Sequence, residues 1–484
     1  MRKKFLCLLL AGVMITSSLT GCGKEDDGNE SGNPISSVFT GELEHNVTIR
    51  VLENDTAIER GYFDDLINAF NEKYKEYGIV AVDANMDQYL DLANDGPYGY
   101  GPDVLYQAND ILMKYVEGKH IYPLPVESLE CYDLVPKEAW EAYKVNVDGN
   151  TYYCGVPVNV QSGLLYYRKD LLPENWEESY DDNKNGIPDM VENFNDLYKF
   201  SIERHSEDST KYGYMKSLYD VYFSSGFLFT YGAYVFGNNN TNPEDIGFDK
   251  GEASKGAYVL SQLASIMNEE CIDNTITTNC YSKLADGTYF ATITTPDVYT
   301  TFIKELVLAY ENEGLSHDEA EAKAKENLVM TSVPKLPASG DLSEENPELL
   351  DAVSMGGING YAVSAYTKAP NACLAFVEFA TSYEMMIKRN EYLGIAPVRS
   401  DAAGDTGELS GTLFENLSAG NIVIMPSIKE VAQIWTPGET YFSDIAKDVF
   451  RSEGEKKYIT LDDFEAGLSK VCEQIHDAIF TLAD

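Results

Sequence analysis

Oxygen-bearing side chains recur at alternating positions in residues 181–192, a spacing that suits a bound metal ion. Loop positions 1, 3, 5, 7, 9 and 12 are Asp181, Asn183, Asn185, Ile187 (through its carbonyl), Asp189 and Glu192. Hard oxygen ligands at this spacing wrap one Ca²⁺, and Gly186 at position 6 permits the sharp turn. Pro188 departs from the aliphatic residue usual in such loops, and a solvated Asp/Asn/Gly turn is the alternative. We expect one structural Ca²⁺ here.

No familiar catalytic motif accompanies this loop. The sequence contains no metal-hydrolase pattern, P-loop, dinucleotide fingerprint or nucleophile elbow. A carboxylate pair for glycoside hydrolysis stays open, because 79 acidic residues offer many pairs and only geometry identifies a working one. We therefore expect a protein that is not an enzyme, with a secreted glycan-active enzyme as the rival class.

The composition restricts the possible partners. A formal net charge of −43 argues against nucleic acid, and against a bilayer contact through a basic patch. The 34 Tyr and 20 Phe residues offer more aromatic surface than core packing readily uses, and aromatic faces suit the apolar side of a sugar ring. A structural or adhesion protein, which would bind no small sugar, is a second rival class.

The N-terminus is typical of an exported lipoprotein. Residues 2–4 are basic, residues 5–15 are apolar but too short to span a bilayer, and Leu19-Thr20-Gly21-Cys22 resembles a bacterial lipobox. Residues 1–21 would then be the signal peptide, and residues 22–44 a diacylated Cys22 with a flexible polar tether. A plain secretory peptide is the alternative. We expect an extracytoplasmic body that lipid anchors to the cell membrane.

The elements that position the functional residues begin with a βαβ unit. Residues 47–51 alternate as a strand, apolar residues recur at helical spacing over 59–78, and residues 79–82 form a second apolar strand. Such units predict a parallel sheet whose ligands bind beyond the carboxyl ends of the strands. Asp110 follows the next predicted strand, 104–106, and therefore falls at that edge. Over 400 residues follow the signal, which predicts two α/β lobes.

A series of short motifs is similar, in order and spacing, to the landmarks of one family. The motifs are Gly101-Pro102-Asp103-Val104, Val156-Pro157-Val158, Asp170-Leu171-Leu172-Pro173, Asp286-Gly287-Thr288, Gly356-Gly357-Ile358-Asn359-Gly360, and Ile424-Met425-Pro426 followed by Trp435. They resemble the maltose/maltodextrin-binding proteins, which are extracellular solute-binding lipoproteins (family 1) of ABC transporters. The resemblance covers nearly all of the chain after the tether.

This resemblance implies an α/β, two-lobed, periplasmic-binding-protein-like fold of type II with the ligand cleft between the lobes. The first lobe would comprise residues 45–159 and 357–403, and the second residues 160–356 and 404–484, with the 181–192 loop as an insertion. The implied function is to bind an oligosaccharide, a maltodextrin or related glucan, and to deliver it to the permease subunits of an ABC importer. We expect a monomer whose closed form the ligand favours.

Four residues fall on ligand-binding positions of that family. By resemblance, Asp110 holds a sugar hydroxyl, Asp220 and Tyr222 form an acid and tyrosine pair in the second lobe, and Trp435 stacks on a sugar ring. Taken singly, Asp110 also suits a helix cap and Trp435 a protein core.

Other positions depart from the family. Gln161 stands in place of a glutamate and Asp297 in place of a tryptophan, although Tyr299 is available to supply an aromatic face. The aromatic platform is therefore thinner, and the hydroxyl pattern it reads can differ. A different oligosaccharide, or another solute such as a peptide, polyamine or metal complex, is the alternative ligand for the same fold.

Overall fold

The computed structural model describes residues 38–87, 90–147 and 150–481. The predicted signal peptide 1–21, Cys22 and the tether up to residue 37 lie outside these residues. Among the described residues, no helix is both long and apolar enough to cross a bilayer. The described cysteines carry free thiols, and they are Cys131, Cys154, Cys271, Cys280, Cys373 and Cys472.

The strands of the described residues are short. They are β1 (Thr48–Leu52), β2 (Val80–Asp83), β3 (Val104–Ala108), β4 (Lys144–Val147), β5 (Asn150–Tyr153), β6 (Val156–Ser162), β7 (Leu164–Arg168), β8 (Tyr212–Tyr214), β9 (Asn242–Ile246), β10 (Tyr289–Thr294), β11 (Leu328–Thr331), β12 (Leu336–Pro337), β13 (Leu349–Leu350), β14 (Ser354–Val363) and β15 (Ile422–Ile424).

Helices connect and cover these strands. They are α1 (Asp55–Glu59), α2 (Tyr62–Lys73), α3 (Leu92–Asp95), α4 (Asn109–Glu117), α5 (Lys137–Glu141), α6 (Trp176–Ser179), α7 (Asp189–Glu192), α8 (Phe194–Glu207), α9 (Val221–Thr230), the turn α10 (Gly237–Asn240), α11 (Ala253–Ser265), α12 (Thr275–Ala285), α13 (Tyr299–Asn312), α14 (His317–Asn327), α15 (Pro370–Ala380), α16 (Tyr383–Leu393), α17 (Ser400–Ala403), α18 (Glu408–Ala419), α19 (Trp435–Asp448) and α20 (Leu461–Phe480).

Two sheets organise the protein. The larger has the order β15-β14-β3-β1-β2, with β6 also paired to β14, and the smaller has the order β11-β7-β10-β8. In the larger sheet β1 runs parallel to β2 and β3, which confirms the predicted βαβ opening. The larger sheet with its helices is the first lobe, and the smaller sheet with its helices is the second lobe. This arrangement is the α/β, two-lobed fold that the sequence predicts.

The helix predicted for residues 59–78 is shorter in the structure. Gly61 adopts a left-handed φ of 81°, which ends α1 and lets α2 begin at Tyr62. The buried apolar residues of α2 follow the predicted helical spacing, and they are Tyr62, Phe63, Leu66 and Phe70. Arg60 therefore stands in the turn between two helices of the first lobe.

The two sheets meet where β6 and β14 lie side by side. Gly357 pairs with Gln161 in an antiparallel register. Gly163 alone separates β6 from β7, so the chain passes from one sheet into the other without a turn. Gly356 is required by close approach, because a Cβ there would lie 2.9 Å from the Gln161 carbonyl oxygen. We call this crossing, formed by β6, Gly163 and β14, the joint between the two lobes.

The predicted lobe boundaries fall near the joint. The divisions at 159/160 and 356/357 lie inside β6 and β14, and the division at 403/404 lies at the end of α17. β15, whose residues these boundaries assign to the second lobe, pairs in parallel with β14 of the larger sheet. The exact boundaries stay a prediction.

A buried ion pair lies at the carboxyl end of β1. Glu53 pairs with Arg389 of α16, and both side chains are almost completely excluded from solvent. Tyr361 of β14 donates a hydrogen bond to the same carboxylate at 2.9 Å. Removing one charge would leave the other buried and unpaired, which is strongly destabilising. The pair therefore holds α16, which ends at Leu393, against the larger sheet.

Candidate functional site

Asp110 lies where the parallel strands of the first lobe end. β3 ends at Ala108, and Asp110 occupies the first turn of α4, where it is half-buried. Burial raises the pKa of Asp110, while the Lys114 charge and the Ile111 backbone N–H act to lower it. A carboxyl that is costly to ionise and lies at the edge of a sheet is a candidate for ligand contact.

Asn109, which the sequence reasoning missed, fixes the start of α4. Its buried amide donates to the Met425 carbonyl at 3.0 Å and to the Ser427 hydroxyl at 2.7 Å. Its side-chain oxygen accepts from the Ile358 backbone N–H at 3.1 Å. One amide thus joins α4, β14 and the segment after β15. Its partners are some 250 to 320 residues away in sequence, so local patterns carry no signal for it.

Tyr222 connects the second lobe to the joint. Its hydroxyl donates to the Gln161 backbone carbonyl at 3.1 Å. The Gln161 side-chain oxygen lies 3.4 Å from the Asn359 amide nitrogen of β14. The structure therefore brings together the predicted residues Gln161 and Tyr222, although the contact uses the glutamine backbone.

Three predicted carboxylates act electrostatically on the Tyr222 hydroxyl. Burial raises the pKa of Tyr222 most, and the charges of Asp297, Asp220 and Asp110 raise it further. Asp220 is the N-cap of α9 and accepts from the Tyr222 backbone N–H at 3.1 Å. Asp297 is exposed in the turn after β10, and Asp110 comes from the first lobe. Tyr222 is therefore under the influence of carboxylates from both lobes.

The predicted aromatic residues begin two helices of this region. Trp435 is the first residue of α19. Its side chain is half-buried and packs against the hydrophobic core. One turn later Gly438 touches α9, since a Cβ there would lie 2.8 Å from Val221. The start of α19 thus lies on the start of α9, beside Tyr222. Tyr299, the first residue of α13, is also half-buried.

Lys216 is a second residue that the sequence reasoning missed. It lies between β8 and α9, and its ammonium nitrogen is 3.4 Å from the centre of the Phe223 ring. Burial lowers the pKa of Lys216 to about 8, and the Asp220 carboxylate acts against this shift. The Lys216 ammonium offsets part of the negative charge of Asp220.

A cavity of about 20 Å³ lies between Tyr222, Gly163 and Ser354, which is room for about one water molecule. A much larger groove of about 1050 Å³ is lined by Met113, Met425 and other residues of α4, β15 and the segment 239–241. None of the predicted ligand-binding residues lines that groove, so the groove and the predicted site use different residues.

The 181–192 loop folds back on itself. Asp181 accepts from the backbone N–H groups of Asn185 and Gly186, both at 3.0 Å. The side-chain amides of Asn183 and Asn185 donate to the Glu192 carboxylate at 2.9 and 2.7 Å. Gly186 has a φ of 80°, as the sharp turn requires. Asp189 accepts from the Asp182 N–H, so hydrogen bonds within the loop hold all five of these side chains.

The carboxylates of this loop are not by themselves arranged as a metal site. Among the described residues, no group of three or more His, Cys, Asp or Glu side chains is placed to hold a metal ion. The loop instead offers Asn side-chain oxygens beside its acids, and Ca²⁺ accepts such mixed oxygen ligands. Occupancy by Ca²⁺ stays a prediction.

Comparison with known proteins gives a family match. Residues 65–411, more than half of the chain, match the family described as "Bacterial extracellular solute-binding protein". The maltodextrin-binding protein MdxE of Bacillus subtilis is 25% identical over 399 residues, which is 80% of this chain and 82% of the relative. A galactooligosaccharide-binding protein of Bacillus subtilis is 25% identical over 458 residues, which is 92% of this chain and 93% of the relative.

Solved structures share the fold at low sequence identity. The maltose-binding periplasmic protein MalE of Listeria monocytogenes, in complex with maltose, has a TM-score of 0.68 at 20% identity, covering 90% of this chain and 98% of that chain. A cyclo/maltodextrin-binding protein complexed with maltotetraose has a TM-score of 0.66 at 20% identity, covering 91% and 99%. These similarities confirm the two-lobed fold of type II.

Replacing Asp110 by Asn should stabilise the ligand-free protein at about pH 7. Burial raises the pKa of Asp110 above its value of about 3.9 in an unfolded chain, so ionisation is a cost in the fold. That cost is present at neutral pH and absent below the pKa that Asp110 has in the unfolded chain. Urea unfolding at about pH 7 and about pH 3 measures it.

The exposed Asp133 is a matched control, and its Asn variant should change the free energy of unfolding at neither pH. A lower free energy of unfolding for Asp110→Asn at both pH values would contradict the burial argument.

Proposed function

The chain belongs to the bacterial extracellular solute-binding proteins, and from this premise we propose that it captures an oligosaccharide between its two lobes for an ABC importer. Members of this family bind solutes without converting them, which confirms the prediction of a binding protein and not an enzyme. The observation that carries the sugar proposal is the position of Tyr222, which bonds to the joint through Gln161 and lies beside the helix that begins at Trp435. The charges of Asp110, Asp220 and Asp297 also act on this tyrosine.

The chemistry of these groups suits a neutral sugar. Carboxylates accept hydrogen bonds from sugar hydroxyls, and an aromatic ring covers the apolar face of a pyranose. Each of the three carboxylates also has a cation that interacts with it: Lys114 with Asp110, Lys216 with Asp220 and Arg60 with Asp297. The opposite charges largely offset one another, which suits a ligand without charge. The family relatives named for maltodextrin and galactooligosaccharide binding support the same ligand class.

Maltodextrin is the leading ligand, and a galactooligosaccharide is the second candidate. The two Bacillus subtilis relatives are equally identical to this chain, and the galactooligosaccharide-binding one matches more of it. Gln161 and Asp297 stand where the resemblance expects glutamate and tryptophan, so the hydroxyl pattern that is read can differ from that of a maltodextrin. A thermal-shift screen with maltotriose, maltotetraose and β-galactooligosaccharides distinguishes the two, because a ligand of the native state raises its melting temperature.

Truncating Trp435 to Ala should weaken binding of the ligand found in that screen by about 2 kcal/mol, or about thirtyfold. The change removes apolar burial and an oriented ring at the start of α19. Calorimetric titration measures the affinity. Trp176→Ala, the same truncation of a half-buried residue in α6, is the control and should bind as the parent does. Unchanged affinity in Trp435→Ala would mean that the tryptophan serves only the core.

The body is proposed to be a monomer held at the cell membrane by lipid on Cys22. Support comes from the lipobox-like Leu19-Thr20-Gly21-Cys22, and a Streptococcus pneumoniae relative is named as a solute-binding lipoprotein. Cys22→Ala should release the protein from membranes, because acyl chains and not the acidic body would hold it. Membrane fractionation checks this, with Cys472→Ala as the control that stays membrane-bound. Continued sedimentation of Cys22→Ala with membranes would refute the anchor.

The 181–192 loop is proposed to hold one structural Ca²⁺, with Asp181, Asn183, Asn185, Ile187, Asp189 and Glu192 as ligands. Support comes from the approach of Asn183 and Asn185 to Glu192, which gathers oxygen-rich side chains on one side of the loop. Ca²⁺ should raise the melting temperature, a chelator should reverse this, and sugar affinity should stay unchanged. Asp181→Ala should abolish the response.

Asp208→Ala is the matched control, since Asp208, like Asp181, accepts a backbone N–H from a residue shortly after it in sequence but lies outside the loop. The same Ca²⁺ response in Asp181→Ala as in the parent protein would exclude this site.

A further inference from the structure

Arg60 is a first-lobe side chain that reaches the second lobe. In the turn between α1 and α2, its Nη1 donates to the Leu393 carbonyl at the end of α16 at 3.1 Å. Its Nη2 donates to the hydroxyl of Thr300, the second residue of α13. α13 follows β10 of the smaller sheet, so one guanidinium holds a carbonyl of one lobe and a hydroxyl of the other.

The contact lies near the candidate site. Tyr222 of that site donates a hydrogen bond to the Gln161 carbonyl of the joint. The Asp297 carboxylate, three residues before Thr300, acts electrostatically on both Tyr222 and Arg60. The segment that carries Asp297 and Thr300 therefore connects the candidate site with the arginine.

The contact depends on the arrangement of the two lobes. When two lobes rotate about a joint, groups on facing sides of the cleft move apart. A hydrogen bond between a side chain and a hydroxyl fails within about 1 Å of added separation. The Arg60–Thr300 bond therefore forms only while the two lobes are close together.

We propose that Arg60 is a positioning residue that latches the two lobes together beside the candidate site, and that Asp297 serves this latch where the family resemblance expects a tryptophan. The latch adds to the stability of the closed form, and any ligand that binds this form gains apparent affinity from it. Its effect on affinity rests on the proposed function, whereas its effect on the shape of the ligand-free protein does not.

The anchoring of Arg60 supports this role. The Leu393 carbonyl belongs to α16, which the buried Glu53–Arg389 pair fixes to the larger sheet. The guanidinium is therefore held at one end by a rigid part of the first lobe, and little side-chain freedom is lost when it meets Thr300. Burial lowers the pKa of Arg60, and the Asp297 carboxylate opposes this shift, so the guanidinium stays charged.

Arg60→Ala, Thr300→Val and the double variant test the latch. Calorimetry measures the affinity of each for the sugar found in the thermal-shift screen, and small-angle X-ray scattering measures the shape of each without ligand. Arg60→Ala should weaken affinity about tenfold and enlarge the radius of gyration, because one charge-assisted bond of the closed form is lost. Thr300→Val keeps the side-chain shape and should act in the same direction. The double variant should match Arg60→Ala, because both changes remove the same bond.

Arg50→Ala is the matched control. Arg50 also lies in the first lobe and donates to carbonyl groups of that lobe alone, those of Gly99 and Gly101, so its loss should leave shape and affinity unchanged. Parental affinity and radius of gyration in Arg60→Ala, or additive effects in the double variant, would overturn the latch. If the parent binds no sugar, the proposed function fails and the scattering comparison alone decides on the latch.

Discussion

The antiparallel pairing of β6 with β14 is the interaction on which the rest of the structure depends. Both strands belong to the larger sheet, yet β6 continues through Gly163 directly into the smaller sheet, so the two lobes share a backbone joint. Gly356 lets the strands approach, because any side chain there would meet the Gln161 carbonyl. That same Gln161 carbonyl accepts the Tyr222 hydroxyl, and the position of the second-lobe site residues follows from this register.

The site concentrates electrostatic cost, which is typical of binding sites. Burial raises the pKa of Asp110, and burial together with the charges of three aspartates raises the pKa of Tyr222. The ammonium of Lys216, in the second lobe, offsets part of the charge of Asp220. A ligand rich in hydroxyl groups would satisfy these acceptors, whereas the ligand-free protein leaves the Asp110 carboxyl poorly solvated. An ionised Asp110 would therefore favour ligand binding but lower the stability of the ligand-free protein.

The sequence allows the elements to be predicted better than their partners. The opening strands, the buried face of α2 and the place of Asp110 beyond β3 follow from periodicity, which is a local property. Arg60 and Asn109 were missed because their partners lie hundreds of residues away and their types are unremarkable at those positions. The predicted helix over 59–78 was too long at its start, since periodicity does not register the left-handed Gly61. Family resemblance, by contrast, indicated Tyr222 and Gln161, which the structure brings into contact.

The central claim is that an oligosaccharide is held between the lobes, against elements of both. Amide hydrogen exchange of the full protein with and without the sugar that stabilises it tests this most directly. We expect new protection at the start of α4 in the first lobe and, at the same sugar concentration, at the starts of α9 and α19. Protection confined to one lobe, or to the groove lined by Met113 and Met425, would contradict it.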